Sequence, residues 1–176
     1  MYYHIFTDRD ATIYEKYPER NTGIDQILQL SKVASGSLLN GIFQSNTYNS
    51  RILIDFKSQL ADISKSIVEG DIPVPGVGDN SSSFFLTLKA VDAHSLPISY
   101  SLVAYPISQS WSNGEGYFND VPEDKNGVSW YYRTNTVAWA SSSAINEDGG
   151  GGTTEAGGGT WHTGSYASQS FNYQSP

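Results

Sequence analysis

The chain is 176 residues long, which suits one domain with a core of its own and an appended loop or tail. Its 18 acidic residues outnumber 10 basic ones for a net charge of −8, so phosphate backbones are repelled and nucleic acid is not an expected partner. With no cysteine, disulfides, thiolate catalysis and cysteine-type zinc sites are excluded.

Aromatic residues make up 13% of the chain and sit among Ser, Thr, Asn and Gly rather than in Glu/Lys/Leu runs, which predicts a mainly β fold. No apolar run approaches the ~18 residues of a membrane span, and the first eight residues lack the basic end and apolar stretch of a signal peptide. The expectation is a soluble product made in the cytoplasm, with no membrane partner.

In chain order, residues 2–7 and 11–14 read as short strands, and Tyr17-Pro18 opens a loop through Asn21-Thr22-Gly23. Ile27, Leu28 and Leu30 form an apolar run, Ser35-Gly36 is expected to turn the chain, and Asn40-Gly41 has hairpin-turn chemistry. Residues 45–49 are polar and turn-like. The central strand is Ser-Arg-Ile-Leu-Ile-Asp-Phe-Lys, residues 50–57. Ile52, Ile54 and Phe56 share one face and Arg51, Leu53, Asp55 and Lys57 the other, so the first three are expected to point inward. Burying them stabilises by roughly 5–8 kcal/mol before the cost of ordering the chain.

Leu60, Ile63 and Ile67 recur at spacings of three and four, which predicts a short helix. Pro73, Pro75, Gly70, Gly76 and Gly78 break regular structure up to Ser81. Phe84, Leu86, Leu88 and Ala90 then alternate with Phe85, Thr87, Lys89 and Val91, as Tyr100, Leu102 and Ala104 do with their neighbours, and the two runs are expected to pair as an antiparallel hairpin. Leu86, Leu88 and Leu102 thereby join the predicted core. A loop from Pro106 to Tyr117 follows, then strand-like aromatic material at 127–133 and 134–139. Eight of the 17 glycines fall between Gly149 and Gly164. Residues 1–146 are therefore expected as a sandwich domain, and 147–176 as a Gly-rich flexible arm or incomplete closing strands.

The glycine-rich stretch is followed by Thr160-Trp161 rather than the Lys-Ser/Thr that a phosphate loop requires. His4, His94 and His162 lack zinc-site spacing. The acidic groups Asp8/Asp10, Glu69/Asp71, Asp120/Glu123/Asp124 and Glu147/Asp148 read as solvated turns, so no catalytic residue is assigned and the chain is read as non-enzymatic. No cofactor is expected. Structural calcium is the metal that Asp- and Asn-bearing sandwich loops suit, although EF-hand spacing is absent. Trp111 and Tyr117, with Trp161, are the ligand candidates, because an aromatic face offers a sugar ring an apolar platform with a polar edge. Trp130 and Trp139, in strand-like runs, are expected to pack.

Asp10-Ala-Thr-Ile-Tyr14, Asn21-Thr-Gly23 and Ile27-Leu-Gln-Leu30 look like the opening strand, Asn-x-Gly turn and second strand of one known module. Arg51-Ile-Leu-Ile-Asp-Phe56 is similar to its Arg-x-x-x-x-Phe central strand, residues 84–90 to its next long strand, and residues 101–111 to its strand leading into a Trp-containing loop. On these residues, spanning most of 10–140, the chain resembles the DNRLRE-type β-sandwich, a carbohydrate-binding-like module of secreted and cell-surface proteins. It departs from that pattern at Lys57, where the family usually has an acidic residue, and it reaches Pro176 without the family's closing Asp-Val-Thr stretch, Val and Trp. Either the chain continues beyond Pro176, or the sandwich is left with an open edge that would accept a strand from another subunit.

The resemblance implies an antiparallel β-sandwich, jelly-roll-like, with one short helix and a long Gly-rich loop or arm. An extracellular type of sandwich without a secretion signal fits a tailed-bacteriophage virion, assembled inside the cell and working outside it. The expected role is thus a structural protein of the tail, neck, fibres or capsid surface, touching other virion subunits or copies of itself. The alternative is an extracellular or cell-surface sugar-binding module of a secreted polysaccharide-degrading protein, with a glycan as its partner.

Overall fold

A computed structural model describes residues 4–39, 42–76, 82–89, 99–140, 157–161 and 169–174. Their regular elements are β1 (Arg9–Tyr14), β2 (Lys32–Leu39), β3 (Ile42–Asp55), α1 (Lys57–Glu69), β4 (Ser99–Ala104), β5 (Tyr132–Thr134), β6 (Val137–Ala138) and β7 (Gln169–Gln174). The fold is mainly strands in antiparallel pairs with one short helix. Among the described residues no helix is long and apolar enough to cross a membrane.

β3 organises the largest sheet, whose strand order is β1-β3-β2. Its first part pairs with β2, from Leu39↔Ile42 to Lys32↔Asn49, and its second with β1, from Tyr14↔Ser50 to Arg9↔Asp55. Asn40 and Gly41, the predicted hairpin turn, lie outside the described residues. Ser35, Gly36 and residues 45–49, expected as turns, are instead inside the β2–β3 ladder. Ladder bonds use the backbone, so a polar segment with little to bury can still form a strand when a partner lies alongside. The apolar run at 27–30 is no strand, and Ile27 and Leu30 are exposed.

The inward face of β3 is the opposite of the expected one. Leu53 is 3% exposed and lies across from Ala11, while Ile13 lies across from Arg51; both β1 residues are fully buried. Directly paired residues share a sheet face, so Arg51, Leu53 and Asp55 point at the core. Ile52 and Ile54 take the other face and, like Phe56, are half-buried. The physical reason is that both charges on the packed face are matched there: Asp55 by Arg9, and Arg51 by two indole rings described below. Trp111, Val128, Trp130 and Trp139 complete this core, with Ile107 against it. β1 is buried on its second face too, through Thr12 and Tyr14.

α1 forms where the apolar spacing predicts it. Ser58 N–H donates to Asp8 Oδ2 at 2.7 Å, and the Ser58 hydroxyl donates to Asp8 Oδ1, so a carboxylate meets the helix N-terminus. Gly70 ends the helix at φ 85°, with its N–H on the Ile67 carbonyl. None of the 13 helix residues is buried.

The predicted 84–90 with 100–104 hairpin does not appear. Residues 82–89 belong to no strand, and β4 pairs with β7. Leu86 and Leu88, placed in the core by their alternation, are 43% and 54% exposed, and Leu102 is half-buried. Alternation marks a segment able to be a strand without naming its partner.

The chain divides into two compact units. Unit 1 comprises Met1–Asp8, Phe56–Val103 and Ser170–Pro176; unit 2 comprises Arg9–Asp55 and Ala104–Gln169. Every buried residue among those described lies in unit 2. Of the glycine-rich stretch, residues 157–161 are part of unit 2, while 147–156 lie outside the described residues.

Candidate functional site

Unit 2 gathers most of the aromatic and polar side chains singled out in the sequence, and its loops hold them in three clusters. The first surrounds Asn21, which is fully buried. Its Nδ2 donates to the carbonyls of Asn113 at 2.7 Å and Val128 at 2.8 Å, and its Oδ1 accepts from Gly116 N–H at 2.8 Å and Gly23 N–H at 3.2 Å. The primary amide is thereby saturated. Three stretches of loop meet here, and glycine is what lets them approach. A Cβ on Gly114 would strike the Asn126 carbonyl and the Asn21 side chain, and Gly114 and Gly127 both have positive φ. Thr22 ties the knot to β1 by donating to the Thr12 carbonyl at 2.6 Å.

The second cluster is built on arginines that face the core. Arg51 lies between two indoles, its guanidinium carbon 4.6 Å from the Trp130 centroid and 4.5 Å from that of Trp161. Its Nη1 donates to the Gly158 carbonyl at 2.7 Å, and Gly158 N–H donates to the Trp130 carbonyl at 2.6 Å. Arg9 covers the Trp111 ring at 4.6 Å, donates to the Trp111 carbonyl, and pairs with Asp55 at 2.6 Å. The planar guanidinium serves here as packing surface and as donor at once.

The third cluster packs Phe118 against Tyr14, tilted by 57° with centroids 4.9 Å apart, and against Tyr17, edge-to-face at 5.4 Å, with Arg20 4.7 Å from Tyr17 and 4.9 Å from Phe118. Burial pushes the Tyr14 phenol above its usual range; Thr12 opposes this and Asp25 adds to it. Glu19, hydrogen-bonded to Lys125, holds that ammonium above its usual range.

The three predicted ligand residues fare differently. Trp111 is buried with a ring face occupied by Arg9, so a sugar could not stack on that face without displacing a paired cation. Tyr117 is 46% exposed on a tight turn held by its own N–H on Asp120 Oδ2 at 2.8 Å. Trp161 is half-buried and stacks against the exposed Tyr105, with centroids 6.2 Å apart and planes at 28°. Among the described residues no ring contact joins Trp111, Tyr117 and Trp161 to one another. Trp130 and Trp139, expected to pack, are buried.

No family model, curated protein or solved structure matches the chain. The site therefore has to be read from its own chemistry.

The acidic loop residues hold backbone. Asp120 takes the Tyr117 amide, Asp124 takes that of Asn126 at 2.6 Å, Asp25 that of Phe118, and Glu123 pairs with Arg20 at 3.4 Å. Among the described residues no group of three or more His, Asp or Glu converges to hold a metal. His94, His162, Glu147 and Asp148 lie outside the described residues. The sequence reading missed the Asn21 hub and the stacked arginines. The signal for the hub was the recurrence of Asn one or two residues before Gly at 21–23, 113–114 and 126–127; for the arginines it was a single Arg in each of two strand-like runs, Arg9 and Arg51, in a chain with four Trp.

Proposed function

We propose that the chain is a non-enzymatic structural and interaction protein of a bacteriophage particle, a tail, neck, fibre or capsid-surface component built on a carbohydrate-binding-like β-sandwich. One observation carries this reading. Among the described residues all the buried side chains belong to unit 2, while unit 1 presents a 13-residue helix with none buried and leaves Phe84, Phe85, Leu86 and Leu88 exposed. A helix of that length is marginal in water by itself and normally buries its apolar stripe against another layer. A subunit whose neighbours supply that layer accounts for the exposed apolar side chains. The sandwich part is supported by the antiparallel β1-β3-β2 sheet, one face of which packs against a layer of Trp111, Val128, Trp130 and Trp139.

The partners on this reading are other virion subunits or further copies of the chain, and the place is the virion. The net charge of −8 favours protein over nucleic acid as partner. Mass spectrometry of particles purified from the host that encodes the chain tests the proposal: it should be recovered at a fixed stoichiometry with the known coat or tail proteins, and its absence from intact particles would remove the reading.

The Tyr105–Trp161 stack supports the alternative, a sugar-binding module of a secreted polysaccharide-degrading protein, because the exposed Tyr105 ring held against Trp161 offers an apolar face of the kind a pyranose stacks on. Affinity electrophoresis in polysaccharide gels separates the two. Retardation that Trp161→Ala abolishes favours the module, and unretarded migration favours the assembly subunit.

A further inference from the structure

We infer that residues 82–89 of one copy add as a strand to an outer edge of the β4–β7 ribbon of a second copy; this rests on reading the chain as an assembling subunit. The donor segment, Ser-Ser-Phe-Phe-Leu-Thr-Leu-Lys, has strand-like alternation, no proline and a single charge at its end. It belongs to no strand, and its Phe84, Phe85, Leu86 and Leu88 are 54%, 85%, 43% and 54% exposed. The acceptor is a sheet of two strands, so each strand has one edge with no neighbour among the described residues. A two-stranded ribbon is marginal in water and gains most from a third strand.

The edges also lack the devices that ordinarily prevent such pairing. Neither Ser-Tyr-Ser-Leu-Val-Ala of β4 nor Gln-Ser-Phe-Asn-Tyr-Gln of β7 contains a charge or a proline. Donor and acceptor lie on one chain, so the surface is self-complementary, and because 82–89 joins no strand within its own copy the occupant is another copy. A reciprocal exchange between two copies, each giving four large apolar side chains, buries on the order of 1,500 Å², the size of a specific interface.

Absence of cysteine makes the test clean. Full-length Thr87→Cys is mixed under mild oxidation with a differently tagged Ser101→Cys or Asn172→Cys chain, and the mass of the unmodified chain is measured in parallel. The expected result is a disulfide between differently tagged copies and a native mass at least twice the 19.2 kDa of one chain. Leu86→Pro, which removes a ladder donor, and Phe85→Asp should each return the mass to that of one chain. All four tryptophans lie in unit 2, so unchanged tryptophan fluorescence separates lost association from unfolding. A monomeric unmodified chain, an unchanged mass in both variants, or a Thr87→Cys/Ser101→Cys double variant that closes only within its own monomer would each overturn the inference. A chain that is monomeric alone yet present in purified particles would sink strand exchange and leave the assembly reading standing; self-association by a chain missing from particles would do the reverse.

Discussion

Asn21 illustrates how much of unit 2 hangs on single side chains. Its amide closes four hydrogen bonds across three loop segments, three of them buried and one partly so, and replacing it strands several backbone groups without partners at once. Asn21→Ala should lower unfolding stability by about 2–4 kcal/mol, read as a shifted urea midpoint in tryptophan fluorescence. Arg51 poses the related question of whether charge or shape matters. Arg51→Lys keeps the cation but loses the flat surface between Trp130 and Trp161, and should cost about 1–2 kcal/mol in the same measurement. Tyr14 sets a pH limit. Its phenol is raised in the folded chain, so its contribution is fully present below the ordinary phenol range near 10 and is lost as the pH climbs through the raised value. The melting temperature of Tyr14→Phe should accordingly fall less steeply above pH ~10 than that of the unmodified chain.

At the scale of elements, β3 is a strand whose two halves answer to different partners and whose packed face carries its charges. Truncating either face decides between the two readings of that strand. Leu53→Ala should cost about 2–4 kcal/mol and Ile54→Ala about 1 kcal/mol, because only the first empties a fully packed site. The reverse order, measured by denaturant unfolding, would restore the face that alternation alone suggests. The strand and the helix were legible because their signals are local: Leu60, Ile63 and Ile67 have helical spacing, and Gly70 stands just past the end in the left-handed conformation that stops a helix. The 84–88 alternation was equally visible, but pairing depends on which edge is near, and no local pattern encodes that.

For the whole chain, the contrast is between unit 2, with its buried aromatic core, and unit 1, where residues 4–8, 56–76, 82–89 and 102–103 are all exposed or half-buried. Local stability should follow it. In hydrogen exchange on the isolated monomer, the amides of β1 and of its partner residues 50–55 in β3 should be slowest, and those of α1 fast. If the proposed partners cover unit 1, α1 should gain protection while unit 2 changes little; α1 already as slow as β1 in the monomer would contradict the proposed interface role for unit 1.

The chain's own letters determined a strand-rich fold, one helix in its place and a strand over 50–55, since propensity and periodicity act over a few neighbouring residues. They also set the −8 charge that disfavours a nucleic-acid partner. Tertiary structure alone decided which face of β3 turns inward, that Trp111 is walled in by Arg9, and that three Asn-Gly sites meet at one point. A charged residue can face a core only when its partner is already there, and the partners of Arg9 and Arg51 lie 46 and 107 residues away along the chain.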